Sequence, residues 1–199
     1  MKSSFLDIFA FFQAAIIDNI VNPLIHYKKK LKGSKPGHLF YGVPGVGKTM
    51  IFDAIMTHCK GKSVTYYNVK CSHVCDKWYG NSEKFIEQLF VKARESAPSL
   101  IMFDEIDALF SQRGDSDSSP TKRMKSMFLA EMRNEFSGLI MIGTTNFPER
   151  IDPAFLKRLE CHYLIPLPEK NERRLMLNQT LKGILYMLCE KSLIFYAKN

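Results

Sequence analysis

A glycine-rich segment at residues 42–49 places the strongest constraint on how this chain can fold. It reads Gly-Val-Pro-Gly-Val-Gly-Lys-Thr, and it lies between a short apolar run at 38–41 and a helical pattern at 50–59. Glycines let backbone amides turn inward, and a following helix directs its positive end at the same point. A plain glycine turn before a helix is the alternative interpretation. The added lysine and threonine favour a phosphate-binding loop.

Two adjacent acids follow a second apolar segment. Residues 100–103 are continuously apolar, as in a strand buried on both faces, and Asp104 and Glu105 come directly after them. An aspartate at a strand end can hold magnesium through water, and a neighbouring glutamate can orient or deprotonate water. Two acids after an apolar run are weak evidence for such a site alone, but they are stronger evidence when they follow a phosphate loop.

A third polar group follows the apolar run at 139–143, where the chain reads Thr144-Thr145-Asn146. A side-chain amide at the end of a neighbouring strand can reach a γ-phosphate or the attacking water. Without the other two motifs, a simple strand-end turn would explain these residues. Together with them, Asn146 is predicted to sense the nucleotide.

These motifs predict a site for ATP and Mg²⁺. Lys48 is expected to reach the β- and γ-phosphates, and Thr49 and Asp104 are expected to hold the metal. The residues predicted to bind the nucleotide are Gly42, Val43, Pro44, Gly45, Val46, Gly47, Lys48, Thr49, Met50 and Asp104. Those predicted to act in catalysis are Lys48, Glu105 and Asn146.

The rest of the pattern alternates between strands and helices. Strands are predicted at 38–41, 63–69, 100–103, 139–144 and 163–165, and helices at 50–59, 82–96 and 122–134. Alternation of this kind predicts a parallel sheet covered by helices on both faces. The expected fold class is therefore a three-layer α/β sandwich with a central parallel sheet.

The composition limits the kinds of partner that can be expected for this chain. The net charge of +8 suits anionic partners, although a solvated basic surface is the favoured explanation. The basic run at 28–32 lacks aromatics arranged for base stacking, so no nucleic acid is expected. The five cysteines lack zinc-finger spacing and favour reduced thiols in a cytoplasmic protein. The apolar run at 5–21 is interrupted by polar residues, so no membrane insertion is expected.

With the three motifs in this order, the sequence resembles the AAA ATPases, which are P-loop NTPases. The similarity is strongest to the branch of katanin, spastin and the vacuolar protein sorting ATPase of the ESCRT pathway. The most specific segments are 77–84 (KWYGNSEK), 93–99 (ARESAPS), 104–109 (DEIDAL) and 165–168 (IPLP). The first two are closest to the vacuolar sorting member, whereas Phe147-Pro148 and Arg158-Leu159-Glu160 are slightly closer to katanin.

The resemblance implies a hexamer, homomeric or heteromeric, that threads a polypeptide through a central pore. By position, Lys77, Trp78 and Tyr79 are the expected pore residues, and the loop at 114–121, supported by Arg123, is the second pore loop. A flat aromatic ring can grip side chains of any sequence. A place for these aromatics in the core is the alternative.

The resemblance also implies that Arg158 acts in trans on the nucleotide of the neighbouring subunit. An Arg-Arg pair is usual in the family, but this chain has Lys157-Arg158, and Cys161 and His162 replace two further arginines. Lysine keeps the charge and loses the bidentate fork. Weaker activation across subunits is therefore expected.

The expected organisation is an AAA large subdomain at 1–168, with a lead-in at 1–37 and a core at 38–168. Residues 169–199 are expected to be a fragment of the helical lid or a divergent tail, with most of the lid missing. The expected function is ATP hydrolysis that remodels protein assemblies, with ESCRT filaments as substrate and a peripheral location at endosomal membranes. Two alternatives stay open: katanin-like microtubule severing, with tubulin as partner, and a non-hydrolysing regulatory subunit of a full-length paralogue.

Overall fold

A computed structural model describes residues 14–27, 36–77, 82–111, 119–132, 138–170, 172–174 and 177–178. Its centre is one five-stranded sheet in which every pairing is parallel. The strands are β1 (Gly37–Tyr41), β2 (Thr65–Lys70), β3 (Ser99–Asp104), β4 (Leu139–Thr145) and β5 (Cys161–Leu164). Their spatial order is β2-β3-β4-β1-β5.

Helices precede the sheet and connect its strands. They are α1 (Asn22–Ile25, after a π-helical turn at Ile17–Val21), α2 (Lys48–His58), α3 (Cys71–Lys77), α4 (Ser82–Glu95), α5 (Asp107–Phe110), α6 (Ser119–Glu131) and α7 (Pro153–Leu156), with a 3₁₀ turn at Pro148–Arg150. None of the helices in the described part of the chain has the length and apolarity that crossing a bilayer requires.

The core has two halves because side chains of a strand point alternately to the two faces of the sheet. In β3, Ile101 and Phe103 pack on one face. Leu100 and Met102 pack on the other. The strand is buried along its whole length except at Asp104, which is half-buried. The predicted three-layer α/β fold is therefore confirmed.

Different helices pack over the two halves of the core. On one face, α4, α5 and α6 enclose an aromatic cluster in which the rings of Phe103 and Phe128 lie 4.8 Å apart and those of Phe110 and Phe155 lie 3.8 Å apart. On the other face, α2 packs beside the N-terminal turns. Those turns lie in the segment predicted as the lead-in at 1–37, and their side chains Ile16, Ile20, Val21 and Leu24 are fully or almost fully buried.

The predicted strands and the three longer helices are all present, with shifts of one to three residues at their ends. The most informative shift is at α2, which begins at Lys48 rather than at residue 50. Gly47 takes a left-handed conformation with φ 92° and ends the loop, so the helix begins immediately after it. The short helices α3, α5 and α7 were not predicted.

The register aligns the strand ends. Lys70 of β2 pairs with Asp104 of β3, and Tyr41 of β1 pairs with Thr145 of β4. Since all strands are parallel, these residues lie at the same edge of the sheet, where ligands of open α/β sheets bind. The phosphate loop after β1 and the acids after β3 are therefore brought to one place.

Candidate functional site

The loop between β1 and α2 has a backbone that few residues other than glycine can adopt. Gly47 has φ 92°, and a Cβ on Gly42 would overlap the carbonyl oxygen of Ile165. Glycine at these positions lets the chain pass close to the end of β5 and then turn directly into α2. The loop residues Val43, Pro44 and Gly45 are exposed, so its outer surface is accessible to a ligand.

Lys48 folds back against its own loop. Its Nζ donates hydrogen bonds to the carbonyl oxygens of Gly42 (2.8 Å) and Val43 (2.9 Å), and only 9% of the residue is exposed. Burial lowers the pKa of this ammonium group, and the negative charges of Asp104 and Asp107 partly oppose that effect. The loop thus holds a poorly hydrated cation, the charge that an anion site requires, and Asp104 and Asp107 are near enough to stabilise its charged form.

Asp104 is fixed by the neighbouring strand. Its Oδ1 accepts a hydrogen bond of 2.5 Å from Oγ1 of Thr144. Thr144 is only 1% exposed, and its position at the end of β4 beside β3 makes the contact possible. The sequence had indicated Thr144 only as part of a polar strand end. In the structure, its hydroxyl orients the predicted metal-binding carboxylate.

Glu105 occupies the turn directly after β3 and has φ 56°, a left-handed conformation that is uncommon for residues with a side chain. Its backbone N–H donates to Oγ1 of Thr144 at 3.2 Å, and the N–H of Ile106 donates to the Thr144 carbonyl at 2.9 Å. Strained conformations of this kind cluster at functional sites, where the surroundings hold them. Thr144 supplies that restraint here.

A second threonine orients the turn that carries Asn146. Oγ1 of Thr145 donates to Oδ1 of Asp107 at 2.6 Å and accepts from the N–H of Phe147 at 3.0 Å. This pair was not predicted from the sequence because neither residue type is diagnostic alone. The signal that could have found it is the placement of a threonine at the end of β4 and of an acid three residues after the adjacent strand β3.

Asn146 has an unsatisfied polar atom. Its Oδ1 is buried and has no hydrogen-bond partner within the described residues. Buried polar atoms without a partner are rare in proteins, and each calls for an explanation such as an incoming ligand or water. Asn146 directly follows β4. This strand lies between β3, which precedes Glu105, and β1, which leads into the phosphate loop.

The predicted metal ligands have suitable chemistry for Mg²⁺. Asp104 is half-buried beside the loop's lysine, and Thr49 is exposed in the first turn of α2. Mg²⁺ prefers oxygen ligands and is commonly held by one or two protein groups together with substrate phosphates. A carboxylate and a hydroxyl satisfy that requirement. No cluster of three or more His, Cys, Asp or Glu side chains suited to a metal occurs in the described ranges.

Arg158 lies outside this group of residues, just after α7. Its Nη1 donates to the carbonyl oxygen of Ala154 at 2.6 Å, and its buried Nε has no partner among the described residues. Part of the guanidinium is therefore anchored within its own chain. The predicted action in trans stays a prediction.

The predicted pore residues fall largely outside the described residues. This applies to Trp78, Tyr79 and most of the loop at 114–121, while Lys77 is the last residue of α3. Arg123, the expected support of that loop, donates from Nε to Glu83 Oε1 at 3.0 Å and so links α6 to α4. Their roles in a pore also stay predictions.

Replacing Thr144 by valine tests whether its hydroxyl holds the strand ends together. The change keeps the shape of the side chain but leaves Asp104 and the Glu105 N–H without this partner, which should lower the free energy of unfolding by about 1–3 kcal/mol. Urea unfolding measures the effect. Thr57→Val is the matched control because that hydroxyl bonds to the Asp53 carbonyl on an exposed helix face. Equal losses in the two variants would contradict the assignment.

Comparisons with known proteins identify the family of this chain. Residues 38–167 match the model of the family described as ATPase family associated with various cellular activities (AAA). The chain is 38% identical over 143 residues to Vacuolar protein sorting-associated protein 4B of Pongo abelii, which covers 70% of this chain and 32% of that protein. It is 35% identical over 170 residues to human Fidgetin-like protein 1, covering 82% of this chain and 25% of that protein.

Two further relatives extend the comparison. A Spastin homolog of Caenorhabditis elegans is 34% identical over 174 residues, covering 85% of this chain and 33% of that protein. The crystal structure of the FIGL-1 AAA domain in complex with ADP superposes with a TM-score of 0.76 at 30% identity, covering 91% of this chain and 61% of that one. The chain spans about a third or less of the length of these curated relatives. It belongs to the AAA ATPase family, in the branch of spastin, katanin and the vacuolar sorting ATPases.

Proposed function

We propose that this chain binds ATP with Mg²⁺ and hydrolyses it to ADP and phosphate. The observation that carries the proposal is that Oδ1 of Asn146 is buried without a hydrogen-bond partner among the described residues, at the same edge of the sheet as Lys48, Asp104 and Glu105. A cation, two carboxylates and a free amide oxygen are the groups that phosphoryl transfer to water uses. Membership of the AAA family supports the same reaction.

Each residue has a distinct task in the proposed reaction. Lys48 exchanges its two loop carbonyls for phosphate oxygens and offsets their charge. Glu105 accepts the proton of the attacking water, and Asn146 fixes that water through its free Oδ1. Mg²⁺, held by Asp104 and Thr49, would neutralise charge that develops on the phosphate oxygens.

The Glu105→Gln variant tests the proposal. Glutamine keeps the size and hydrogen-bonding capacity of the side chain but cannot take the proton, so turnover should fall by at least about 100-fold. ATP binding should persist because Lys48 and the loop glycines are unchanged. Phosphate release and titration with a fluorescent ATP analogue measure the two properties. Unchanged turnover would show that Glu105 is not the base.

We further propose that Arg158 completes the site of a neighbouring subunit. Its buried Nε has no partner in the part of the chain that the structure describes, and this supports the role because an interface or phosphate oxygen would satisfy that donor. A mixture of two inactive variants tests this role, and it also controls for misfolding of the Glu105→Gln variant. Arg158→Ala and Glu105→Gln should each be inactive alone, whereas a mixture should regain turnover at interfaces that combine an intact Glu105 with an intact Arg158. No recovery on mixing would contradict action in trans.

We propose that the chains assemble into the hexameric ring that the resemblance implies. The ring remodels protein polymers by threading a polypeptide through its pore, and its substrate is ESCRT filaments. The Lys77-Trp78 pair and the segment that follows support this choice over microtubules. Identities of 38% and 34% to relatives named for vacuolar sorting and for spastin favour neither one strongly. The substrate proposal therefore rests on the pore segment.

Co-sedimentation distinguishes ESCRT filaments from microtubules as the substrate. The Glu105→Gln chain, saturated with ATP, should co-sediment with preformed ESCRT filaments, because a ring that cannot hydrolyse ATP should keep hold of its substrate. With ADP the co-sedimentation should be lost, which is the control. Sedimentation with microtubules instead would favour severing.

A further inference from the structure

The hydroxyl of Thr144 makes two hydrogen bonds whose directions are fixed. It accepts from the backbone N–H of Glu105 at 3.2 Å, and a backbone N–H can only donate. The hydrogen of the hydroxyl therefore goes to Oδ1 of Asp104, which lies 2.5 Å away. Because the acceptor is a carboxylate and the donor is itself polarised by an N–H, this is a strong hydrogen bond.

Burial keeps the hydroxyl in this arrangement. Thr144 is only 1% exposed, so water has little access to it. Among the described residues, Asp104 is the only acceptor of the hydroxyl, and rotation away from it would leave a buried donor without a partner. The main chain resists displacement as well, because the Thr144 carbonyl accepts from the N–H of Ile106 at 2.9 Å. Oδ1 of Asp104 therefore stays engaged with the protein.

The two carboxylate oxygens of Asp104 consequently differ. Oδ1 is held by Thr144, whereas no described residue donates a hydrogen bond to Oδ2. Asp104 is half-buried, and its negative charge lies close enough to Lys48 of the phosphate loop to stabilise the ammonium group. A cation that enters with the phosphates is thus offered one free carboxylate oxygen rather than two.

Divalent cations differ in how they use a carboxylate. Mg²⁺ requires near-ideal octahedral geometry, keeps several of its waters and needs only one or two protein carboxylates. Ca²⁺ takes about six to eight oxygen ligands and can bind both oxygens of one carboxylate. A carboxylate with one oxygen already engaged therefore suits Mg²⁺ and denies Ca²⁺ the two-oxygen mode.

We propose that Thr144 is a positioning residue that sets the metal selectivity of the site, because its hydroxyl engages Oδ1 of Asp104 and so favours Mg²⁺ over Ca²⁺. The inference rests on the proposed binding of ATP with Mg²⁺ and names the residue that selects the metal. Removing a partner that orients a metal ligand commonly lowers metal affinity by about 10- to 100-fold. Loss of the hydroxyl should weaken binding of the Mg²⁺ complex, whereas the Ca²⁺ complex gains the freed oxygen and should not weaken.

The test measures affinity for a fluorescent, non-hydrolysable ATP analogue with saturating Mg²⁺, with saturating Ca²⁺ and with a chelator, using the full chain. Thr144→Val keeps the shape of the side chain and removes the hydroxyl. The preference for the Mg²⁺ complex over the Ca²⁺ complex should fall by about tenfold. Affinity in the chelator should not change, because Lys48 and the loop glycines are intact, and this measurement also reports that the variant is folded.

Two further variants at the same position guard against an effect of shape. Thr144→Ser keeps the hydroxyl and should keep the wild-type preference for Mg²⁺. Thr144→Ala removes the hydroxyl without placing a methyl group beside the carboxylate, and it should lose the preference as Thr144→Val does. An unchanged preference in Thr144→Val or Thr144→Ala overturns the proposal. An equal loss of affinity for both metal complexes overturns it too, since that result would show only a structural role.

Asp104→Asn separates this inference from the proposed function. If the analogue gains affinity from Mg²⁺ equally in Asp104→Asn and in wild type, the proposed metal site is wrong and the inference fails with it. If Asp104→Asn removes that gain while Thr144→Val leaves the preference intact, the inference alone fails. In the double variant, Thr144→Val should have no further effect on the preference, because it acts through the carboxylate. A remaining effect there would overturn the proposal.

Discussion

The structure depends on the burial of β3 and β4 on both faces of the sheet. Every residue of β4 is buried, and β3 is buried until Asp104. Polar side chains on such strands are tolerated only where they leave the apolar layers or find partners. The acids therefore appear at the strand ends, and Thr144, although buried, bonds to them. Burial thus decides both the fold and the place of the chemistry.

Local patterns were sufficient to predict the sheet and the edge of it at which the candidate site residues lie. Continuous apolar runs indicate strands that are covered on two faces. The loop at 42–49 identifies the run just before it, at 38–41, as the first strand of the sheet. Because parallel strands end at one edge, Lys48, Glu105 and Asn146 could be expected near each other before the structure was known. Their order along the chain carried that information.

Contacts between distant segments were not predictable in the same way. The threonines at the end of β4 read as an ordinary strand end, yet they orient Asp104 and Asp107 through their hydroxyls. Lys70 lies just beyond the strand predicted at 63–69, and its ion-pair partner Glu105 lies in the turn after a different strand, β3. Periodicity reports which face a residue occupies but not which side chain lies opposite. These roles needed the register of β2, β3 and β4.

Binding of ATP by the loop residues is the central claim, and calorimetric titration tests it most directly. ATP with Mg²⁺ should bind the chain at one site, and the Lys48→Ala variant should lose most of that affinity because the phosphates lose their buried cation. Lys60→Ala, at an exposed lysine after α2, should bind like the wild type. Equal affinity of Lys48→Ala and wild type, or no binding by either, would contradict the account.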